Sequence, residues 1–324
     1  MILTVTLNPS LDRTVELPAP LRRGAVQRAE AAHQDAGGKG VNISRALRVS
    51  GIPALAVLPG DPGDPLLAEL AAAGVPYEAV PVGAAIRSNI AITEPDGTTT
   101  KINAPGAPLA PEQLDAVVDL LVERGAEASW IVLAGSLPPG APVDVYARIV
   151  RRVRSALGEQ APRFAVDTSG PALLGATSGD DALPDLVKPN GEELAELVGT
   201  VDGDRLEADP DLAAETAAAL VRRGVGAVLT TLGAGGAVLT VPEGSWHAIH
   251  EPVAVRSTVG AGDSSLSGYL IAQDRGDGPP DCLRQAVASG SAAAALPGTR
   301  VPALSETTPE AVTVRELTAR AVSG

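Results

Sequence analysis

Trp130-Ile131-Val132-Leu133 is an unbroken apolar run, preceded by a helix over about 111–124 and followed by another at about 142–156. A short continuous apolar run between helices is how a strand buried on both faces reads. The rhythm continues down the chain. Phe164-Ala165-Val166 is a strand, 185–188 is a strand before a helix at 190–198, and a helix at 210–223 leads into Ala227-Val228-Leu229-Thr230. A hairpin-like pair follows at 236–249, then helices at about 261–273 and 281–295. This alternation predicts βαβ units in an α/β fold, with a mostly parallel sheet.

The first hundred residues keep that rhythm with two interruptions. Met1 to Leu7 is a first buried strand, Val41 to Leu47 a helix closed near Gly51, Ala54 to Leu58 a strand, and Leu66 to Ala73 a helix. Residues 8–36 carry Pro18 and Pro20 and a roughly alternating stretch, Val26-Gln27-Arg28-Ala29-Glu30. They read as irregular chain with short strands outside the main sheet. Asn89 to Thr93 and Thr98 to Ile102 flank Pro95-Asp96-Gly97, a turn signal, and read as a hairpin. Segments 10–36 and 86–103 together predict a small β lid inserted in a single domain spanning 1–324.

Hydrophobic residues make up 45% of the chain but aromatics only 2%, so the core has to be Ala, Val, Leu and Ile. The formal net charge of −14 repels nucleic acid and anionic lipid, and no basic stripe offsets it. No apolar stretch reaches membrane-spanning length. Cys282 is the sole cysteine, which excludes an intramolecular disulfide and suits a cytoplasmic setting. The N-terminus lacks a basic region and reads as a strand rather than a signal peptide. Only Lys39, Lys101 and Lys188 are lysines among 25 basic residues. A coding bias toward Arg accounts for that excess. Alternatively, lysine stands where a compact, mobile charge is needed.

Several enzyme signatures are missing. There is no P-loop, no G-x-G-x-x-G opening a helix and no G-x-S-x-G elbow. His33, His247 and His250 sit in no acidic or Cys cluster, so they do not suggest a metal site.

The positive signal is Ser257-Thr258-Val259-Gly260-Ala261-Gly262-Asp263-Ser264-Ser265-Leu266, small residues placed directly before an amphipathic helix. Gly260, Ala261 and Gly262 let a phosphate approach backbone amides at a helix N-terminus. Asp263 beside that anion hole can accept a proton from an attacking hydroxyl, or it can merely cap the helix. Gly37-Gly38-Lys39-Gly40-Val41-Asn42 offers close backbone approach, a cation and a hydroxyl-binding amide; otherwise it is a glycine turn. Asp12 can hold sugar hydroxyls or cap a turn. Arg87, opening Arg87-Ser88-Asn89, can fork onto a phosphate or stay solvated.

Lys188-Pro189-Asn190-Gly191-Glu192-Glu193 can position nucleotide phosphates and Mg²⁺-bound water through Asn190 and Glu193. Equally, those two side chains can form a capping box. Thr231-Leu232-Gly233-Ala234-Gly235-Gly236 can pass a nucleotide close to the backbone, or make a tight turn.

The order of these segments resembles the ribokinase-like sugar kinases, the PfkB family, over about residues 1–300. The resemblance rests on Gly37-Gly38-Lys39-Gly40-Val41-Asn42 early and Gly260-Ala261-Gly262-Asp263 late. It implies a doubly wound α/β domain with a β lid, ATP, Mg²⁺, and in-line transfer with Asp263 as base. Thr4-Val5-Thr6-Leu7-Asn8-Pro9-Ser10-Leu11-Asp12, Thr98 to Asn103 and Gly135-Ser136-Leu137-Pro138-Pro139-Gly140 are similar to the branch acting on phosphorylated ketohexoses.

That likeness implies phosphorylation of fructose 1-phosphate to fructose 1,6-bisphosphate. Tagatose 6-phosphate and fructose 6-phosphate are the alternative acceptors. It places Asp12, Gly37, Gly38, Asn42 and Asn89 at the sugar, and Lys39 and Arg87 at its phosphate. Lys188, Asn190, Thr231, Gly233, Gly235, Gly236 and Gly262 fall at the nucleotide, with Asn190 and Glu193 meeting the metal through water. Ser257 stands where the wider family often carries Asp, and Lys101 where relatives often carry an acidic residue. A homodimer through the lid is a further implication. A non-catalytic sugar-phosphate sensor would not need Asp263, a kinase of neutral alcohols would not need Lys39 and Arg87, and a nicotinamide oxidoreductase lacks its fingerprint.

Overall fold

The computed structural model describes residues 1–179, 181–199 and 201–317. The last seven residues of the expected domain, 318–324, lie outside the described residues. Strand β1 (Ile2–Val5) is buried at every position because it sits mid-sheet with helices on both faces. The chain then leaves the main sheet for β2 (Ser10–Glu16) and β3 (Ala31–Gly37). It returns through α1 (Lys39–Val49), β4 (Ala54–Pro59), α2 (Pro65–Ala72) and β5 (Tyr77–Val80). A second excursion makes β6 (Arg87–Thr93) and β7 (Thr99–Ile102), before α3 (Pro111–Gly125) leads back to β8 (Trp130–Ala134).

Next come α4 (Val145–Leu157), β9 (Arg163–Asp167), α5 (Gly170–Thr177), β10 (Leu186–Val187) and α6 (Gly191–Val198). Helices α7 (Gly203–Ala208) and α8 (Pro210–Arg222) precede β11 (Val228–Thr231), β12 (Ala237–Val241) and β13 (Gly244–His250). Helices α9 (Ala261–Asp274) and α10 (Pro279–Ala294) and strand β14 (Val312–Leu317) complete the described chain.

The large sheet runs β14-β13-β12-β11-β10-β9-β8-β1-β4-β5. Strands β11 to β5 are parallel, and β12 to β14 add an antiparallel edge. Strand order reverses at β1, with β4 on one flank and β8 on the other. In such sheets the crevice beyond the strands' C-terminal ends at the reversal is where ligands bind. One apolar layer packs Val117, Tyr146, Leu194 and Leu220 against the sheet, and the opposite layer packs Ile43, Leu266 and Leu283. Cys282 lies in the second layer, where burial pushes its thiol up to about 11, so it is not a ready nucleophile.

The smaller sheet runs β3-β2-β6-β7. The parallel register of β2 on β6 sets Ser10 beside Arg87 and Asp12 beside Asn89. The expected hairpin is β6–β7, with Gly97 at φ 89° in its turn.

Three details differ from the sequence reading. Residues 26–30 carry no strand; the β structure of that excursion falls at 10–16 and 31–37, where pairing to β6 is available. Helix α9 is not amphipathic: residues 263–272 are all buried, because α1 and α10 cover it. Elements β5, α5, α7 and β14 were not expected. They are short, or rich in Gly and polar residues, and long-range packing rather than local propensity sustains them. Among the described residues, no helix is long and apolar enough to cross a membrane.

Candidate active site

Helix α9 starts at Gly260, whose φ of 78° a side chain would strain. Its first ladder bond runs from the Ser264 amide to the Gly260 carbonyl at 2.9 Å, so the amides of Gly262 and Asp263 precede the ladder. That is the donor set an anion needs. Asp263 is only 7% exposed. Its Oδ2 accepts a 2.9 Å hydrogen bond from Asn42 Nδ2 on α1, so the two halves of the motif pattern meet. Burial, reinforced by the charge of Asp167, pushes the Asp263 carboxyl up to about 6 against the pull of Asn42, Lys39 and Lys188.

Asp167, at the C-terminal end of β9, opens a strand-end segment, Asp167-Thr168-Ser169, that the sequence marks as a ligand-side position without assigning it a role. It is completely buried, with Lys39 Nζ 2.5 Å from Oδ1 and Lys188 Nζ 3.2 Å from Oδ2. Burial opposes its charge, but the two ammonium groups outweigh burial and hold its carboxyl below the ordinary value. Oδ2 has an ion-pair partner but no well-aimed hydrogen bond. Lys39 is likewise held above its usual range: burial pulls down, and Asp167, Asp263 and Glu193 push up harder. Lys39 is therefore charged. Lys39 stays the more open, with 36% side-chain exposure against 5% for Lys188. A Cβ on Gly262 would come within 3.2 Å of Lys188 Nζ, which ties the start of α9 to the same charge cluster.

Asp12 faces this cluster's neighbour, the start of α1. Its Oδ1 accepts from Ser10 Oγ (2.7 Å) and Asn89 Nδ2 (3.0 Å). A Cβ on Gly37 would land on Asp12 Oδ2, so only glycine lets that carboxylate close in. Gly38 lies against Thr6, and the Asn89 Oδ1 is buried without a partner. Arg87 is drawn inward. Its donors reach the carbonyls of Pro9 (3.4 Å), Ala104 (2.9 Å) and Asn8 (2.9 Å) and Ser136 Oγ (3.5 Å). Burial lowers its pKa against the charge of Asp12. Arg87 thus ties three roots of the small sheet together and presents its charge beside Ser136. Asn8 and Ser136 also belong here: Asn8 Nδ2 donates to Ser136 Oγ at 3.3 Å and to the Pro105 and Leu137 carbonyls. Ser136 follows Gly135, whose carbonyl accepts from Tyr146 Oη (2.9 Å) and Thr168 Oγ1 (2.8 Å).

Farther along the sheet edge, Asn190 Oδ1 accepts from the Glu193 amide (2.7 Å) and Glu193 Oε2 from the Asn190 amide (2.9 Å). The capping box is formed, and both candidate metal residues take part in it. Thr231 bridges to Asn190 through the backbone. Gly233 to Gly235 form a short 3₁₀ turn, and a Cβ on Gly236 would land on the Ala248 carbonyl of β13. The missing side chain of Gly236 is thus already required by strand packing. Among the described residues, no three His, Cys, Asp or Glu side chains gather to hold a metal.

Comparison with known proteins identifies the family. The profile of the pfkB family carbohydrate kinases matches residues 5–306. This chain belongs to the pfkB family. It is 36% identical to the 1-phosphofructokinase of Rhodobacter capsulatus over 93% of this chain and 92% of that one. It is 33% identical to the ATP-dependent 6-phosphofructokinase isozyme 2 of Escherichia coli, over 93% and 94%. The crystal structure of Escherichia coli phosphofructokinase-2 with substrates and products superposes with a TM-score of 0.84 at 31% identity, covering 94% and 96%. A pfkB kinase is a sugar phosphotransferase, with ATP as phosphoryl donor and generally a divalent metal.

Proposed function

We propose that this chain transfers the γ-phosphoryl group of ATP to the 6-hydroxyl of fructose 1-phosphate, with Asp263 as general base. The observation that carries the reading is Asp263 itself. It is a buried carboxylate poised near pH 6, in the first turn of a helix, beside two lysines. It is largely ionised at neutral pH, yet basic enough to take a proton.

The 6-hydroxyl oxygen attacks phosphorus as its proton passes to Asp263. The bond to the bridging oxygen breaks, and ADP leaves. The amides before Ser264 and the ammonium group of Lys188 face the charge spreading over the transferred group. Asp12, Asn42 and Asn89 hold sugar hydroxyls, with Gly37 and Gly38 giving room. Lys39 meets the 1-phosphate with the donors that Asp167 leaves free. Arg87 adds charge beside Ser136. Lys188, Asn190, Thr231, Gly233, Gly235 and Gly236 line the nucleotide, and the small sheet closes over the sugar as a lid.

Mg²⁺ fits a site of this donor set. With no all-protein cage among the described residues, it would be held chiefly by the nucleotide phosphates and would neutralise them. Glu193 keeps one carboxylate oxygen outside the capping box to meet its water shell.

The runner-up is fructose 6-phosphate, supported by the Escherichia coli relative named for that activity. Initial rates with fructose 1-phosphate, fructose 6-phosphate and tagatose 6-phosphate test the choice. The 1-phosphate should give the highest kcat/KM by at least about tenfold, and a preference for either 6-phosphate overturns it. In the same assay Lys39→Ala should raise KM for the preferred sugar roughly tenfold or more, the scale of one charge-assisted hydrogen bond, with KM for ATP within about twofold. Equal rises in both would remove Lys39 from the phosphate site.

Ile90 and Ile102 pair across the small sheet and are 37% and 56% exposed. We read this apolar face as a homodimer contact. Light scattering should return twice the chain mass, and Ile102→Lys should halve it. A monomeric parent protein rejects the contact.

A further inference from the structure

His247 is the buried histidine that the reaction leaves without a part. It lies on β13 between Val238 of β12 and Arg315 of β14 and is 8% exposed. Its Nε2 stands 2.8 Å from the Gly235 carbonyl oxygen. A carbonyl only accepts, so Nε2 carries the proton and the tautomer is set by that partner.

The turn it reaches is thin and closed on itself. The Leu232 amide donates to the Gly236 carbonyl (2.8 Å), Gly235 to Leu232 (2.9 Å) and Gly236 to Gly233 (3.2 Å). Beneath it, the β13 backbone presses so closely that a Cβ on Gly236 would meet the Ala248 carbonyl. On another side α7 stands close, with the Glu207 carbonyl 3.3 Å from where a Cβ on Gly235 would be. At Gly233 the space is open: a Cβ there would meet nothing within 4 Å. The turn is a ledge supported from below and beside, with its free surface at Gly233. Among the described residues, the one side chain hydrogen bonded to the Gly235 carbonyl is His247.

We propose that His247 is a positioning residue for the nucleotide: its Nε2–H holds the Gly235 carbonyl and so sets the height of the Gly233–Gly235 ledge on which ATP lies. This rests on the reading that the ledge lines the nucleotide. A histidine serving β13 packing alone would change stability without separating the two substrates.

The test compares His247→Phe, which keeps the ring volume without the donor, with His247→Gln, which restores a donor. His247→Asn is polar but too short to reach Gly235. Affinity is read by calorimetry with a non-hydrolysable ATP analogue and Mg²⁺, alongside initial-rate KM values for ATP and sugar phosphate. Phe and Asn should weaken analogue binding and raise KM for ATP roughly tenfold, the scale of one lost hydrogen bond to a buried carbonyl. The sugar KM should stay within about twofold, and Gln should recover most of the loss. Unchanged analogue affinity in folded Phe and Asn variants overturns the role of His247. So do equal rises in both KM values. An unmodified protein that does not bind the analogue overturns the underlying nucleotide assignment instead.

Discussion

Asp263→Asn should leave kcat about 10²–10⁴-fold below that of the unmodified enzyme while making the protein harder to unfold at pH 8. The two effects share one cause. Asp263 is buried near a second carboxylate, and its pKa stands at about 6 rather than at the ordinary carboxylate value. A raised folded-state value means that the fold favours the protonated form. The penalty is absent below the unfolded pKa and grows as pH rises, reaching its full size above about 6. That gap corresponds to roughly 3 kcal/mol. Asparagine keeps the shape, can turn its oxygen toward Asn42 Nδ2, and carries no charge to desolvate. Urea unfolding at pH 8 and pH 5 should show an advantage of up to about 3 kcal/mol for the variant at pH 8, smaller at pH 5. In the parent enzyme, kcat should fall with a slope of one as pH drops below about 6. Near-normal turnover in the variant ends the general-base role, and equal stability at both pH values removes the strain at this carboxylate.

That tension was only half legible in the sequence. Gly260-Ala261-Gly262-Asp263 pointed to an anion hole because small residues before a helix are a local pattern. What surrounds Asp263 is not local: Asn42 is 221 residues away in the chain. The parallel core could be read because its strands, such as Trp130 to Ala134, are buried on both faces and hence continuously apolar. Strand β14, half exposed at the sheet edge, left no such trace. The Asn190–Glu193 capping box was visible as a three-residue spacing and formed as such. Arg87 was recognised as a cation for the site, but its bonds to three carbonyls depend on where two separate excursions of the chain leave the main sheet. Asp167 stood at a strand end with no motif around it, and only the fold brings Lys39, 128 residues distant, onto it.

Asp167→Ala should destabilise the protein by roughly 3–5 kcal/mol, the cost of stripping one partner from a buried ion pair. Lys188 is 4% exposed, and its ammonium group would be left with its counter-charge gone. Lys39 can turn to water, so most of the cost should fall on Lys188. This makes a sharper test available. Adding Lys188→Met should recover much of the loss, because an apolar side chain of similar length removes the orphaned charge, while turnover stays low. Non-additivity of at least about 1 kcal/mol in that cycle is expected for groups in direct contact. The pH sign is opposite to that at Asp263. Asp167 is held below the ordinary value, so its contribution is present above the unfolded carboxylate pKa and is lost as pH falls through the depressed one. The two neighbouring carboxylates therefore bias the same site in opposite directions: Asp167 must stay charged to keep two lysines in place, and its charge in turn makes Asp263 a better base. If Asp167→Ala costs less than about 1 kcal/mol, or if Lys188→Met deepens the loss, the lysines are held by something other than Asp167.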